Sequence, residues 1–434
     1  MSPTPVPGLS ETTTAFCILL IFLVPLAAAG LAVINAGLGR SRSAAHSMLS
    51  SLAILAVAVL VYFLCGFSWQ GFAAGPAHVV AVAGKQWNWI SAESFFLRGL
   101  QPEGSPASLV ALLQMFSVGL AALIPLGAGT DRWRLGAACA STALLAGCTY
   151  PIFAHWVWGG GWLAQLGVNC GLGRGFLDAG GAGCIQAVGG LTAWSIACIL
   201  GPRRGKYGMD GAPAAIPGHN AVLVLLGCFL ALMGWFGLNC AGSILFAGLA
   251  PGAMAGVAID TMLAAAMAAL AAAAITRARF GRPDASLCAN GWVGGLVASS
   301  AACAFVSPAA AAMTGLVAGA LVTFSVEWLD IHLGVDDPAG SISVHAISGI
   351  WGVLAMGIFA HFPGDSGQFA AQLAGVATLL GFVLPLTYSL NWLLNRFYPQ
   401  RVAAEGERQG MDLYELGAGA YPEFVIHRED MTQG

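Results

Sequence analysis

The chain reads as an all-α, polytopic membrane protein of eleven transmembrane helices, built as an inverted five-helix repeat plus one extra helix. Three observations predict this. Of 434 residues, 58% are hydrophobic and only 9% charged, against about 25% charged in a soluble chain. Apolar runs of ~20 residues, the length that crosses ~30 Å of hydrocarbon, recur from end to end. Two segments, one in each half, superimpose with their polar residues in register.

The spans fall near 15–38, 45–67, 107–128, 135–153, 179–201, 219–238, 253–276, 286–305, 309–331, 341–361 and 372–397. The first is too long for the core of a cleaved leader, and no positive charge precedes Arg40. Residues 1–14 precede the membrane domain (15–397), which divides into repeats 15–201 and 219–361 and the eleventh helix 372–397. Residues 398–434 form a tail. Arg40, Arg42, Arg132, Arg134, Arg203, Arg204, Lys206, Arg277, Arg279, Arg282, Arg396, Arg401, Arg408 and Arg428 fall on one side of this topology. Lys85, Arg98 and Arg174 fall on the other. Fourteen basic residues against three places the N-terminus outside and the C-terminus in the cytoplasm of a multi-pass protein of the cell membrane. The 59 glycines suit helices that approach closely in lipid. A net charge of −3 gives no reason to expect nucleic acid. The eleven cysteines form no C-x-x-C pair, so packing thiols are expected rather than a metal or cofactor site.

The repeat is the most informative pattern. Asp178 to Leu191 lies over Asp337 to Ile350 without a gap, each opening on an acid and placing a polar residue eight positions later: Gln186 in one, His345 in the other. Gly30 to Asn35 in the first span likewise matches Gly234 to Asn239 in the sixth. A repeat of five spans sets the halves in opposite orientations, the design of many transporters whose path lies between the halves near the midplane.

Ionisable side chains inside a bilayer are costly and commonly functional. His345 stands about a turn into the tenth span, with Gln186 as its counterpart. The pair is read as a polar station in a conduit, a packing hydrogen bond being the alternative. Gln186 is expected to donate its amide hydrogen to a ring nitrogen. Asp178 opens the fifth span as a cap on the helix N-terminus or as a substrate contact. Trp158, before Gly159-Gly160-Gly161, belongs to an interfacial aromatic belt or holds a cation against its ring. No arrangement of side chains suggests catalysis.

These residues resemble the ammonium transporter (Amt/Mep/Rh) family over nearly the whole chain. Its Asp-x-Ala-Gly-Gly motif is similar to Asp178-Ala179-Gly180-Gly181, and its Val-Asp-Asp-Pro to Val-His motif to Val335-Asp336-Asp337-Pro338 and Val344-His345. Thr130-Asp131-Arg132, Ala154-His155-Trp156-Val157-Trp158-Gly159-Gly160-Gly161, Gly234 to Asn239 and Glu407 to Asp412 complete the set. The resemblance implies a homotrimer with one pore per subunit, ammonium or a small amine as substrate, and a tail that meets a PII-type regulator. It also marks departures. The family's twin histidines become Gln186 and His345. Its two gate phenylalanines fall on Ser117 and Leu238. Its recruitment tryptophan is Trp158, with Ser243 or, without a one-residue gap, Gly242 as the serine partner. A carboxylate expected near Pro338 is replaced by Gly340. A proton relay between two imidazoles is thus interrupted, because a glutamine takes up no proton near neutral pH. Two other readings stand beside transport: a receptor-like ammonium sensor, and a conduit for another small neutral molecule. The tail is expected to dock on cytoplasmic loops, with Glu405, Glu407, Glu415 and Glu423 pairing with Arg203, Arg204 or Arg277; a solvated tail is the alternative.

Overall fold

The computed structural model describes residues 9–73, 75–100, 105–362 and 366–421. Among these, ten helices are long and apolar enough to cross a membrane. They are α1 (Glu11–Leu38), α2 (Ser41–Gln70), α3 (Pro106–Gly129), α4 (Leu135–Val157), α5 (Ala182–Leu200), α6 (Ala221–Leu245), α7 (Pro251–Phe280), α9 (Pro308–His332), α10 (Ile342–Phe359) and α11 (Gln368–Phe397). The remaining expected span is α8 (Ala285–Ala302), whose buried Asn290, Ser299 and Ser300 dilute its hydropathy. It packs between α7, α9 and α10.

Helix starts follow local chemistry. Ser105 and Ser307 cap α3 and α9 with a proline at the first helical position, where a missing N–H costs nothing. Asn220 caps α6 and Asp284 caps α8 through the amides three residues on.

Small residues bring the helices together. A Cβ at Gly30 of α1 would lie 2.6 Å from Ala231 N, and one at Gly234 of α6 would lie 2.0 Å from Ala27 N. The residues matched by the repeat therefore pack reciprocally on one another. Gly315 and Gly319 of α9 seat against Ala264 and Ala268 of α7 in the same way. This is the close backbone approach that helices in lipid use in place of a hydrophobic driving force.

The all-α expectation misses one element. Between α2 and α3, β1 (Ala77–Val82) pairs antiparallel with β2 (Lys85–Ser91). Ala83 and Gly84 join them at φ 52° and 74°, the pair of positive values that a tight hairpin turn needs. The hairpin is tied to the end of α4: Trp156 Nε1 donates to Trp89 O at 2.8 Å, and the His155 ring meets Asn88 Oδ1 at 2.8 Å. Lys85 Nζ also donates to Asn169 O. Neither strand alternates cleanly in sequence, so no period-two signal announces it.

Candidate functional site

Gln186 and His345 meet in the core. Each lies on a wide π-helical turn at the start of its span, Ala182–Ala187 and Ile342–Ile347, a distortion often found at functional sites. One turn beyond each stands a glycine. A Cβ at Gly190 would lie 2.2 Å from Ala346 N, and one at Gly349 would lie 2.6 Å from Ala182 O. Only glycine permits this crossing, and the crossing brings the two polar side chains into reach. His345 Nδ1 lies 2.8 Å from Gln186 Oε1, with both residues buried.

The polarity of this bond corrects the expectation. Gln186 presents its carbonyl oxygen, so the ring Nδ1–H donates and Nε2 becomes the ring's acceptor. Gln186 Nε2 is buried and has no acceptor among the described residues. The pair therefore offers one spare donor and one acceptor.

At the same end of the bundle as the hairpin, Trp158 ends α4. Its Nε1 donates to Asp178 O at 2.7 Å, and its ring stacks on Phe246 with centroids 4.5 Å apart and planes 10° apart. The Asp178 carboxylate is buried and accepts from the amides of Gly181, Ala182, Gly183 and Cys184 at 2.8–2.9 Å. Its charge is thus spent on the N-terminus of α5, and its backbone oxygen positions the indole. Ser243 Oγ meets Cys303 Sγ at 3.8 Å. A Cβ at Gly242 would lie 2.1 Å from Ala179 O, so this position accepts no serine without displacing the Asp178 segment. Ser117 bonds back to Leu113 O at 2.8 Å, and Leu238 is buried on α6. Neither supplies an aromatic ring. Phe246 went unnoticed in sequence; its one signal is a place one turn after Ser243.

The arginine-rich end holds a buried ion network. Arg203 grips Asp336 with Nε and Nη2, both at 2.9 Å, and its backbone N adds a third bond at 2.8 Å. Arg132 donates to Asp336 O, Gly201 O and Thr130 O. Burial pushes the Asp336 carboxyl up, but Arg203 and Arg132 outweigh it and hold it below the ordinary carboxylate value.

The tail docks here, and the expected pair of Glu407 with Arg204 forms, the guanidinium Nε 3.9 Å from the carboxylate, while the other described acids take different partners. Glu407 accepts from Arg204 N at 2.6 Å and Arg401 Nη2 at 2.8 Å. Glu415 reaches His46 Nε2 at 2.8 Å, and Asp412 takes the amides of Ala45 and His46. Glu405 pairs within its own helix with Arg408, and Arg203 is taken by Asp336 and Asp131. Shape decides this: Arg203 is buried beneath loops, while α2 offers open amides to the tail. Glu423 and Arg428 lie outside the described residues.

A model of the Ammonium Transporter Family matches residues 15–421. The chain is 36% identical over 429 residues to ammonium transporter Amt2 of Archaeoglobus fulgidus, covering 94% of this chain and 88% of that protein. It is 30% identical over 417 residues to an ammonium transporter of Bacillus subtilis, covering 94% and 96%. Among solved structures, one titled Sensor Amt Protein superimposes at TM-score 0.83 and 29% identity, covering 93% of this chain and 98% of that one. Saccharomyces cerevisiae Mep2 shares the fold at TM-score 0.76 and 24% identity, covering 92% of each chain.

Proposed function

Because the chain belongs to the ammonium transporter family, whose members are transporters and not enzymes, we propose that it passes ammonia or a small amine past Gln186 and His345. The observation that carries this reading is the 2.8 Å contact between these two side chains, with Gln186 Nε2 left unpartnered beside it. A neutral amine has one lone pair and N–H donors. Gln186 Nε2 would donate to the lone pair, and His345 Nε2 would accept an N–H. An intact ammonium ion has no lone pair, so it would leave the Gln186 donor unmatched, and a bare cation in lipid costs several kcal/mol. Selection for the deprotonated amine follows.

Trp158, stacked on Phe246, would gather the cation at the outer mouth, with Asp178 and Ser243 behind it. Ser117 and Leu238 leave the passage without the two phenyl rings of the family gate. In this reading the N-terminus is outside, the C-terminus is cytoplasmic, and the protein is a homotrimer of the cell membrane whose docked tail, Glu407 to Glu415, can present a surface to a PII-type protein.

Uptake of labelled methylammonium into proteoliposomes, with and without a pH gradient, tests the reading. His345→Ala should reduce uptake to the protein-free level. Gln186→His should raise the proton-coupled current. Undiminished uptake by His345→Ala would refute it. A second reading, a sensor that binds ammonium with little transport, draws on the similarity to a structure titled as a sensor. It predicts saturable binding without uptake.

A further inference from the structure

Trp158 is held in place, and its ring face is covered. Its backbone N donates to Ala154 O and its indole Nε1 to Asp178 O, both at 2.7 Å, which sets the plane of the ring. The Phe246 ring lies over that plane, with centroids 4.5 Å apart and planes 10° apart. The rest of the indole packs in the core, so that Trp158 is only 8% exposed. A cation held by a ring stands over the face, within about 6 Å of the centroid. Phe246 fills that place. While the phenyl ring stays there, a cation has no route onto the face.

The two rings differ in freedom. Phe246 is partly buried, sits just past the last turn of α6 and has no polar atom to tether its side chain. Its backbone N bonds to Gly242 O at 2.7 Å, and the chain then turns away through Gly248 at φ 68°. A Cβ at Gly248 would meet nothing within 4 Å, so this turn lies in open space. Rotation about the Cα–Cβ bond of Phe246, from one staggered position to another, carries its ring off the indole without moving the backbone. Two stacked rings and a cation over a ring are attractions of comparable strength, so exchanging one for the other is close to balanced. We propose that Phe246 is the gate of this cation site: its ring stacks on Trp158 when the site is empty and turns aside as ammonium or methylammonium takes its place. The proposal rests on the reading that Trp158 gathers the cation. Ser117 and Leu238 supply no ring, so selection at this end falls to Phe246. A cation is admitted when its attraction to the indole matches that of the phenyl ring, and its apparent affinity is reduced by the fraction of time the ring stands aside.

Binding of radiolabelled methylammonium to the purified full-length protein, by scintillation proximity, tests the gate. Phe246→Ala removes the competing ring and should bind the probe about three- to tenfold tighter than the parent. Phe246→Leu keeps most of the bulk and should shift binding the same way. In a Trp158→Leu background neither change should tighten binding, because the face that Phe246 covers is gone. A second measurement follows the ring itself. With para-fluorophenylalanine in place of Phe246, the fluorine resonance is displaced by the indole beneath it. Saturating methylammonium should shift that resonance, and Trp158→Leu should abolish the shift. Phe246→Ala and Phe246→Leu proteins that melt like the parent yet bind no tighter would overturn the gate, as would tightening that persists without Trp158. A fluorine signal that methylammonium leaves unmoved would do the same. Tighter binding by these variants with no uptake into proteoliposomes would fail the transport reading and leave the gate standing; uptake with binding indifferent to Phe246 would do the reverse.

Discussion

Arg203 and Asp336 show how much one buried pair holds. Three hydrogen bonds join them, at 2.8, 2.9 and 2.9 Å, where water cannot compete. Removing one partner strands the other charge, a loss of about 3–5 kcal/mol. Arg203→Ala should therefore lower the melting temperature in detergent sharply, whereas Arg203→Ala with Asp336→Asn should recover part of it. The pH dependence follows from the depressed Asp336 carboxyl. Its stabilisation is complete above the unfolded value of about 3.9 and is lost as pH falls through the lower folded value. Melting curves at decreasing pH should show an acid loss in the parent that Asp336→Asn lacks. The same scale holds the departure from the twin histidines: one carbonyl oxygen turned toward Nδ1 fixes which nitrogen of His345 accepts.

At the scale of elements, glycine position decides whether two helices can bring side chains together. Gly190 and Gly349 stand four residues after Gln186 and His345, each against the backbone of the opposite helix. Gly190→Leu should force α5 from α10, part the polar pair and abolish methylammonium uptake while the protein still reaches the membrane. Overpacking of this kind costs about 1–3 kcal/mol, less than a protein of this size needs to unfold. Gly252 has open space around it, so Gly252→Ala should transport like the parent. Loss of uptake in both variants would show that the effect is not specific to the crossing. The helices themselves were legible because each carries a long apolar run, and the pair was legible because its segments repeat. The hairpin of β1 and β2 was not: its strands are six and seven residues long, and their order comes from Trp156, His155 and Asn169 rather than from their own pattern.

The whole molecule binds its tail back onto the bundle. Trp133 Nε1 donates to Gln400 Oε1, Val402 N to Arg132 O, and Glu407 takes Arg204 N and Arg401. In the orientation proposed from the sequence's charge asymmetry, this end faces the cytoplasm. Single cysteines introduced at Glu405 or Gly419 should react with an impermeant maleimide only from the cytoplasmic side. Labelling from outside would reverse the topology. Glu407→Ala should loosen the tail, seen as faster proteolysis after residue 398, with the membrane helices unaffected.

The sequence by itself determined the spans, their number and the pairing of Gln186 with His345, because hydrocarbon thickness and repeat register are written along the chain. It also indicated which end carries the positive charge. Only the tertiary structure decided which atom of Gln186 faces the ring, that Phe246 covers Trp158, and that Asp178 turns inward to four amides. Tertiary structure alone likewise sent Glu415 to His46. These are choices among donors and acceptors far apart in sequence, and hydrogen bonds of comparable strength are settled by which groups packing brings within about 3 Å.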